Sequence, residues 1–260
     1  MRNENDLQIL TGHQCVLQAL RHRRRPLYRL WLSRRAGDEE LIGAARDLGI
    51  DVRKVASEDL TRIAGNAKHQ GVALECGPLP VHALDEILRF QPPDGEDLLV
   101  FLTGVEDPRN LGAAARCCSF LGARAVILPG KGAAPLSPTA SRTSAGALES
   151  LPVSVVPGSV SACGELRSAG FQLVGLELGG DSLWDWQDVG GRIVLVVGGE
   201  DRGLGRRIRA ACDRIVTVPG RGPVESLNVS VATGIALFHI QARRRFEGSE
   251  KTLDKKDSNH

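Results

Sequence analysis

Three short segments of the chain combine polar side chains with glycines in an order that could build a ligand site. The first spans residues 107–122, where Asn110 stands at a predicted helix start and Arg116 follows six residues later. Small residues fill the first turn of that helix, so a ligand or a backbone segment can approach it closely. Taken alone, Asn110 could equally be a helix cap, and Arg116 a solvated side chain.

The second segment spans residues 193–205, where an apolar strand leads directly into Gly198, Gly199 and Glu200. Two glycines permit a close approach of the backbone or a positive φ angle. The pattern Gly-x-Gly-x-x-Gly is absent, so this is not the dinucleotide-binding fingerprint. A plain glycine-rich turn, with Glu200 capping the next helix, is the structural alternative.

The third segment spans residues 215–238 and contains a loop rich in glycine and proline, followed by Ser226, Leu227 and Asn228. The backbone groups of such a loop are suited to a neutral, hydrogen-bonding ligand such as adenine. The helix that follows is built from small residues and could pack tightly against a copy of itself or against the loop before it. A packing helix capped by Ser226 would explain its composition but not its polar entry.

These segments follow the strands of a predicted α/β domain that starts near residue 98. We expect strands at 98–103, 124–128, 171–176, 192–197 and 214–218, and helices at 111–121, 138–149, 159–168, 205–212 and 228–244. Apolar strands separated by helices indicate a parallel sheet that is covered on both faces. Parallel sheets bind ligands beyond the carboxyl ends of their strands, which is where the three segments lie.

A smaller α/β module precedes this domain. We expect a helix around residues 16–20, a strand at 27–32, a helix at 38–48, a strand at 50–55, a helix that begins with Ser57 as its N-cap, and a strand at 70–75. The predicted domains are residues 1–77, a proline- and glycine-rich linker at 78–97, the larger domain at 98–246, and a polar tail at 247–260.

Composition excludes several classes of protein. Only 4% of the 260 residues are aromatic, which disfavours a protein built on rows of base-stacking rings. No apolar run reaches membrane-spanning length and the amino terminus carries acids, so we expect a soluble, cytoplasmic protein. The six cysteines form no C-x-x-C pair and the six histidines show no ligand spacing, so we expect reduced thiols and no metal.

Arginine is concentrated near both ends of the chain. Residues 1–35 hold eight arginines against two acids, and residues 202–245 hold nine against two. A polyanionic partner would explain this distribution, because the guanidinium fork matches phosphate and stacks on bases. A solvated, arginine-rich surface encoded by a GC-rich genome explains it equally well.

The three segments together resemble the three motifs of the SpoU (TrmH-type) RNA ribose methyltransferases. The matching residues are Asn110 and Arg116, then Gly198 and Glu200, then Ser226, Leu227 and Asn228. The resemblance covers about residues 98–245, and its third motif is the most specific. Residues 8–77, with Gly12-His13 near one end and His69-Gln70-Gly71 near the other, resemble the RNA-binding domain of the RlmB-type branch, which methylates a guanosine of 23S rRNA.

This resemblance implies an α/β fold with a SPOUT-type parallel sheet, a C-terminal deep trefoil knot and a preceding ribosomal-protein-like RNA-binding domain. It also implies a homodimer with residues 230–238 between the subunits. S-adenosylmethionine would be the cofactor and would be held by five positions: Gly198, Gly199, Val218, Pro219 and Leu227.

The resemblance implies roles for the polar residues as well. Arg116 would contact the target phosphate and the ribose 2′-OH; orienting them is easier for it than acting as a base, because a guanidinium pKa exceeds about 12. The residues implied to hold Arg116 and the ribose are Asn110, Glu200, Ser226 and Asn228. Those implied to bind RNA are His13, Arg23, Arg24, Arg25, His69 and Gln70.

Three alternatives remain at this point. The substrate could be tRNA or another rRNA site, or the chain could be a non-catalytic RNA-binding or ribosome-assembly factor that kept the fold. A dehydrogenase of the Rossmann type is disfavoured by the missing glycine fingerprint.

Overall fold

A computed structural model describes residues 7–35, 38–93, 95–199 and 203–257. The strands are β1 (Gln8–Thr11), β2 (Leu27–Ser33), β3 (Asp51–Val55), β4 (Val72–Cys76), β5 (Asp97–Thr103), β6 (Ala125–Pro129), β7 (Val153–Val156), β8 (Gln172–Ser182), β9 (Arg192–Gly198) and β10 (Arg214–Thr217). The helices are α1 (His13–His22), α2 (Glu39–Asp47), α3 (Ser57–Ala64), α4 (Leu84–Leu88), α5 (Pro108–Phe120), α6 (Pro138–Thr143), α7 (Ser159–Ser168), α8 (Gly205–Ala211) and α9 (Val229–Asp257).

The chain divides into two compact units that do not follow the order of the sequence. The first contains the chain up to Val81 together with Glu106–Arg116 and Ala134–Val153. The second contains His82–Val105, Cys117–Ala133 and the chain from Ser154 onward. The domain boundaries expected from the sequence, at residues 77 and 98, stay a prediction.

The first unit contains a four-stranded sheet in the order β1-β4-β2-β3. Strand β4 runs antiparallel to β1 and β2, and β3 runs parallel to β2. The apolar residues of α1 recur at helical spacing, so one face of that helix buries Val16 and Leu20 against Leu30 and Leu74 of the sheet. The sequence missed β1, because only four residues mark it.

Two predicted details of the first unit are wrong. Ala56 holds the N-cap position of α3, and Ser57 is its first helical residue. The helix expected over 138–149 ends at Thr143, because Ala145 and Gly146 adopt positive φ angles of 52° and 85°. A 3-10 turn at Ala147–Glu149 follows, and Gly146 is required there since a Cβ would lie 2.7 Å from the Cβ of Gln18.

The second unit contains a six-stranded sheet in the order β10-β8-β9-β5-β6-β7. The pairs β10/β8, β8/β9, β9/β5 and β5/β6 are parallel, which confirms the predicted class. All seven residues of β5 are buried. The sequence analysis did not predict β7. It also predicted that β8 ends at residue 176, six residues before its observed end at Ser182.

The predicted linker contains a packed element. Helix α4 lies inside it, and both Leu84 and Ile87 are buried in the core of the second unit. At the start of β5, the buried carboxylate of Asp97 receives two hydrogen bonds from Arg124, at 2.9 and 2.7 Å. Within the described part of the chain, no helix has the length and apolar character needed to cross a membrane.

Candidate active site

Helix α5 begins earlier than the sequence indicated. The carboxylate of Asp107 accepts a hydrogen bond from the backbone N–H of Arg109 at 2.8 Å, and its carbonyl oxygen accepts from Leu111 at 3.0 Å. Asp107 therefore caps the helix, and Asn110 lies inside its first turn. The Asp-Pro pair at 107–108 was the available signal, since proline favours the first helical position. The Arg109 guanidinium, hydrogen-bonded to Asp107, lowers the pKa of that carboxyl group.

The small residues in the first turns of α5 allow this helix to pack closely against α6. A Cβ on Gly112 would lie 2.4 Å from the carbonyl oxygen of Ala140 on α6, so the backbones of the two helices touch. Asn110 is half-buried, and Arg116 is exposed near the middle of α5. Arg116 is therefore accessible from solvent.

The two glycines at the end of β9, Gly198 and Gly199, are held by backbone contacts. A Cβ on Gly198 would lie 2.2 Å from the carbonyl carbon of Gly203, and one on Gly199 would lie 2.0 Å from the carbonyl oxygen of Gly104. The N–H of Gly203 also donates to the carbonyl oxygen of Gly199 at 3.0 Å. Glu200, between these anchors, lies outside the described residues.

Glu177 is a residue that the sequence analysis did not single out. One of its carboxylate oxygens accepts from the N–H of Leu204 at 3.0 Å, and the other pairs with Arg209. It therefore holds the chain just after the glycine turn. The signal was an acid directly after the apolar strand of residues 173–176, which is the pattern that drew attention to Glu200.

The loop after β10 leaves its polar end exposed. Val218 and Pro219 are half-buried, while Ser226, Leu227 and Asn228 are exposed. The side-chain oxygen of Asn228 accepts from the N–H of Ser230 at 2.9 Å and from its hydroxyl at 2.6 Å. Asn228 therefore caps α9, and the alternative in which Ser226 was the cap is wrong.

The start of α9 packs against the second half of α5. The thiol of Cys117 lies 3.7 Å from the carbonyl oxygen of Ser230, and a Cβ on Gly234 would lie 3.2 Å from the same sulfur. The small residues of α9 thus allow close packing against α5, a partner that the sequence analysis did not name. Across the described residues, no group of three or more His, Cys, Asp or Glu side chains is arranged to hold a metal ion.

The motif residues of the first unit are tied to one another. His13 pairs with Asp38 at 2.5 Å, and its backbone N–H donates to the side chain of Gln70 at 2.9 Å. His69 is buried, with its ring nitrogens 3.0 Å from the hydroxyl of Thr61 and 3.0 Å from the N–H of Gly71. These two contacts indicate that His69 stabilises the conformation of its loop.

The three arginines at 23–25 differ sharply in exposure. Arg23 is exposed, whereas Arg24 is half-buried and donates to the carbonyl oxygen of Leu151 at 2.7 Å. Arg25 is only 3% exposed and pairs with the buried Glu149 at 2.8 Å. A phosphate group cannot reach a guanidinium in that position, so we correct the expectation that Arg25 binds RNA.

Comparison with known families and structures supplies the context for this geometry. The family described as SpoU rRNA Methylase matches residues 97–238, and the one described as RNA 2′-O ribose methyltransferase substrate binding matches residues 9–100. A protein of Mycolicibacterium vanbaalenii named as an uncharacterized tRNA/rRNA methyltransferase is 39% identical over 249 residues, which cover 94% of this chain and 79% of that protein.

Two crystal structures are similar to this chain over nearly its whole length. The SpoU methyltransferase AviRb from Streptomyces viridochromogenes, in complex with AdoMet, gives a TM-score of 0.77 at 26% identity and covers 94% of both chains. An AdoMet-bound rRNA methyltransferase from Sinorhizobium meliloti gives a TM-score of 0.76 at 25% identity, covering 93% of this chain and 89% of that one.

The family match covers more than half of the chain, and the relative at 39% identity covers nearly all of it. The SpoU recognition made from the three sequence segments is thus confirmed, and this chain belongs to the SpoU family of RNA 2′-O-ribose methyltransferases.

Proposed function

We propose that this chain methylates the ribose 2′-OH of a guanosine in 23S rRNA, with S-adenosylmethionine as the methyl donor. The observation that carries the proposal is the glycine turn after β9, combined with family membership. The match to a substrate-binding family over residues 9–100 supports an RNA substrate, and the likeness to an rRNA methyltransferase over 93% of the chain favours rRNA.

The residues of the second unit fit S-adenosylmethionine. Gly198 and Gly199 pack directly on the backbones of Gly203 and Gly104, so the chain is held in place where the cofactor would bind. The loop from Gly220 to Leu227 belongs to no strand or helix, and its backbone donors and acceptors would contact an adenine ring. Val218, Pro219 and Leu227, which border that loop, would complete the contact.

Bound S-adenosylmethionine would supply an electrophilic methyl group on a sulfonium that departs as a neutral thioether. The protein must then position the ribose and help its hydroxyl lose a proton. We assign Arg116 to the phosphate and the 2′-OH, because its exposed guanidinium can orient both. Asn110, Glu200, Ser226 and Asn228 would hold Arg116 and the ribose in place.

The same proposal includes a homodimer and a knotted C-terminal segment. Val231, Ile235 and Phe238 are exposed at positions i, i+4 and i+7 of α9, so they form one apolar stripe on the helix. A second copy of this chain would bury that stripe, as the SpoU resemblance implies. The trefoil knot is supported by the fold similarity to SpoU structures.

The proposed RNA surface of the first unit changes with the burial of Arg25. We retain Arg23 and Arg24 and add Arg34 and Arg35, which are exposed at the end of β2. His13 and Gln70 lie at the surface beside α1 and remain in the set. Cationic side chains of this kind supply affinity for phosphate that weakens as salt concentration rises.

The decisive experiment is methyl transfer from labelled S-adenosylmethionine to separately transcribed, unmodified 23S rRNA and tRNA. We expect label on the 2′-oxygen of one 23S guanosine, loss of that label in R116A, and normal labelling in R109A. Arg109 is the matched control because it is an exposed arginine on the same helix. Label on tRNA alone would overturn the substrate, and no label on either RNA would overturn the proposed reaction on free RNA.

A further inference from the structure

Trp184 is displayed at the surface by a turn that is itself firmly anchored. It lies in a 3-10 turn at Leu183–Asp185 directly after β8, and 61% of it is exposed. Trp186, two residues later, is 1% exposed and stacks on His239 with ring centroids 6.0 Å apart. The indole N–H of Trp186 donates to the carbonyl oxygen of Asp188 at 2.7 Å, so one tryptophan fixes the turn and the other faces solvent.

Arg221 lies against the exposed ring. Its guanidinium carbon is 5.5 Å from the centroid of the Trp184 ring. The strand register explains this meeting, because Thr217 at the end of β10 pairs with Ser182 at the end of β8. The two loops therefore start side by side, and Arg221 precedes Ser226 of the candidate site by five residues.

Arg221 forms no ion pair with any carboxylate among the described residues. A second exposed ring, Phe90, also has an arginine above it, with Arg124 at 4.7 Å. There the guanidinium is bound to the buried Asp97 through two hydrogen bonds, so its charge already has a partner within the protein.

We propose that Trp184 and Arg221 form a stacking platform for an unpaired nucleobase of the RNA substrate. This inference rests on the proposed function and adds a residue pair that positions the target strand beside the Ser226–Asn228 loop. A base offers a π face to the indole, and its phosphate offers a partner to the guanidinium.

The stacking is tested first by binding, which does not require turnover. Unmodified 23S rRNA transcript should quench the tryptophan fluorescence of the wild-type protein, and W184F should lose that quenching. The chain has three tryptophans, so emission from Trp31 and Trp186 reports an intact fold in the same sample. Persistence of the full quenching in W184F would overturn the proposal.

The second test separates RNA binding from cofactor binding in the methyl-transfer assay. We expect W184A to raise the KM for RNA by at least about fivefold, given the usual strength of base stacking, while the KM for S-adenosylmethionine stays within twofold. W184F should recover most of the loss because it keeps an aromatic face, and R221A should resemble W184A. The matched control F90A should leave both KM values unchanged.

Other outcomes give Trp184 a different role. A raised KM for the cofactor alone would place it at the cofactor, and dissociation of W184A into monomers would place it at a subunit interface; both overturn the platform. If wild-type protein methylates neither rRNA nor tRNA, the proposed function fails. Quenching that W184F removes would still support the platform in that case.

Discussion

The backbone of Gly199, at the end of β9, rests directly on the carbonyl group of Gly104, at the end of β5. A Cβ at residue 199 would lie 2.0 Å from that oxygen, a distance that no side chain tolerates. The neighbouring strands β5 and β9 pair from Asp97 with Arg192 to Thr103 with Gly198, so their carboxyl ends arrive together. This contact therefore links a position three residues before the first motif segment to a position within the second.

We expect G199A to weaken S-adenosylmethionine binding by about tenfold or more and to lower the stability by about 1–3 kcal/mol, as overpacking generally does. The added methyl must push the two strand ends apart. Calorimetric titration with the cofactor and urea unfolding would measure the two effects. G190A is the matched control, because a Cβ there meets nothing within 4 Å, and equal behaviour of both variants would refute the assignment.

Removal of Arg25 should destabilise the first unit strongly. R25A leaves the buried carboxylate of Glu149 without its cationic partner, which usually costs about 3–5 kcal/mol. R21A breaks the exposed pair with Glu40 and should cost no more than about 1 kcal/mol. Urea unfolding of both variants makes the comparison, and a loss for R25A as small as that for R21A would contradict the buried pair.

Asn228 should combine a structural role with a role in the reaction, and two substitutions separate them. N228A removes the cap of α9 and should lower the stability by about 1 kcal/mol. N228D keeps an acceptor for the N–H of Ser230, so its melting temperature should stay near that of the wild type. We expect methyl transfer to fall in both variants; full activity of N228D would leave Asn228 only a capping role.

The apolar stripe on α9 should control assembly. F238E places a carboxylate on that stripe and should convert a dimer into monomers, as measured by sedimentation velocity. F246E is the matched control, since Phe246 is also exposed on α9 but lies beyond residues 230–238. A wild-type protein that sediments as a monomer would contradict the proposed homodimer.

The sequence predicted the central sheet well because its signal is local. Long apolar runs such as residues 98–103 and 192–197 allow little besides a buried strand, and both proved to be strands. Side-chain partners were harder to predict, because they depend on distant residues. Nothing near Arg25 distinguishes it from Arg23, and its burial is decided by Glu149, which lies 124 residues further along the chain.

The positions of the helix starts were also only partly predictable from the sequence. Asn110 and Asp107 are both good capping residues, and the proline at 108 decides in favour of the aspartate. Glu177 and Glu200 both follow runs of apolar residues in the sequence, yet only the structure shows that the Glu177 carboxylate accepts a hydrogen bond from the N–H of Leu204. The sequence therefore predicted the ends of these helices and strands within a few residues and left the hydrogen-bond partners open.

The contacts of Arg25 have a consequence for synthesis of the chain. Its guanidinium donates hydrogen bonds to Gln8, 17 residues earlier in the chain, and to Gly77, 52 residues later. It also donates to Ser141 and Glu149. In a nascent chain, Arg25 would lack its carboxylate partner until more than a hundred further residues, up to Glu149, had been synthesised. The amino-terminal sheet is therefore expected to mature late in translation, once the segment carrying Glu149 has been made.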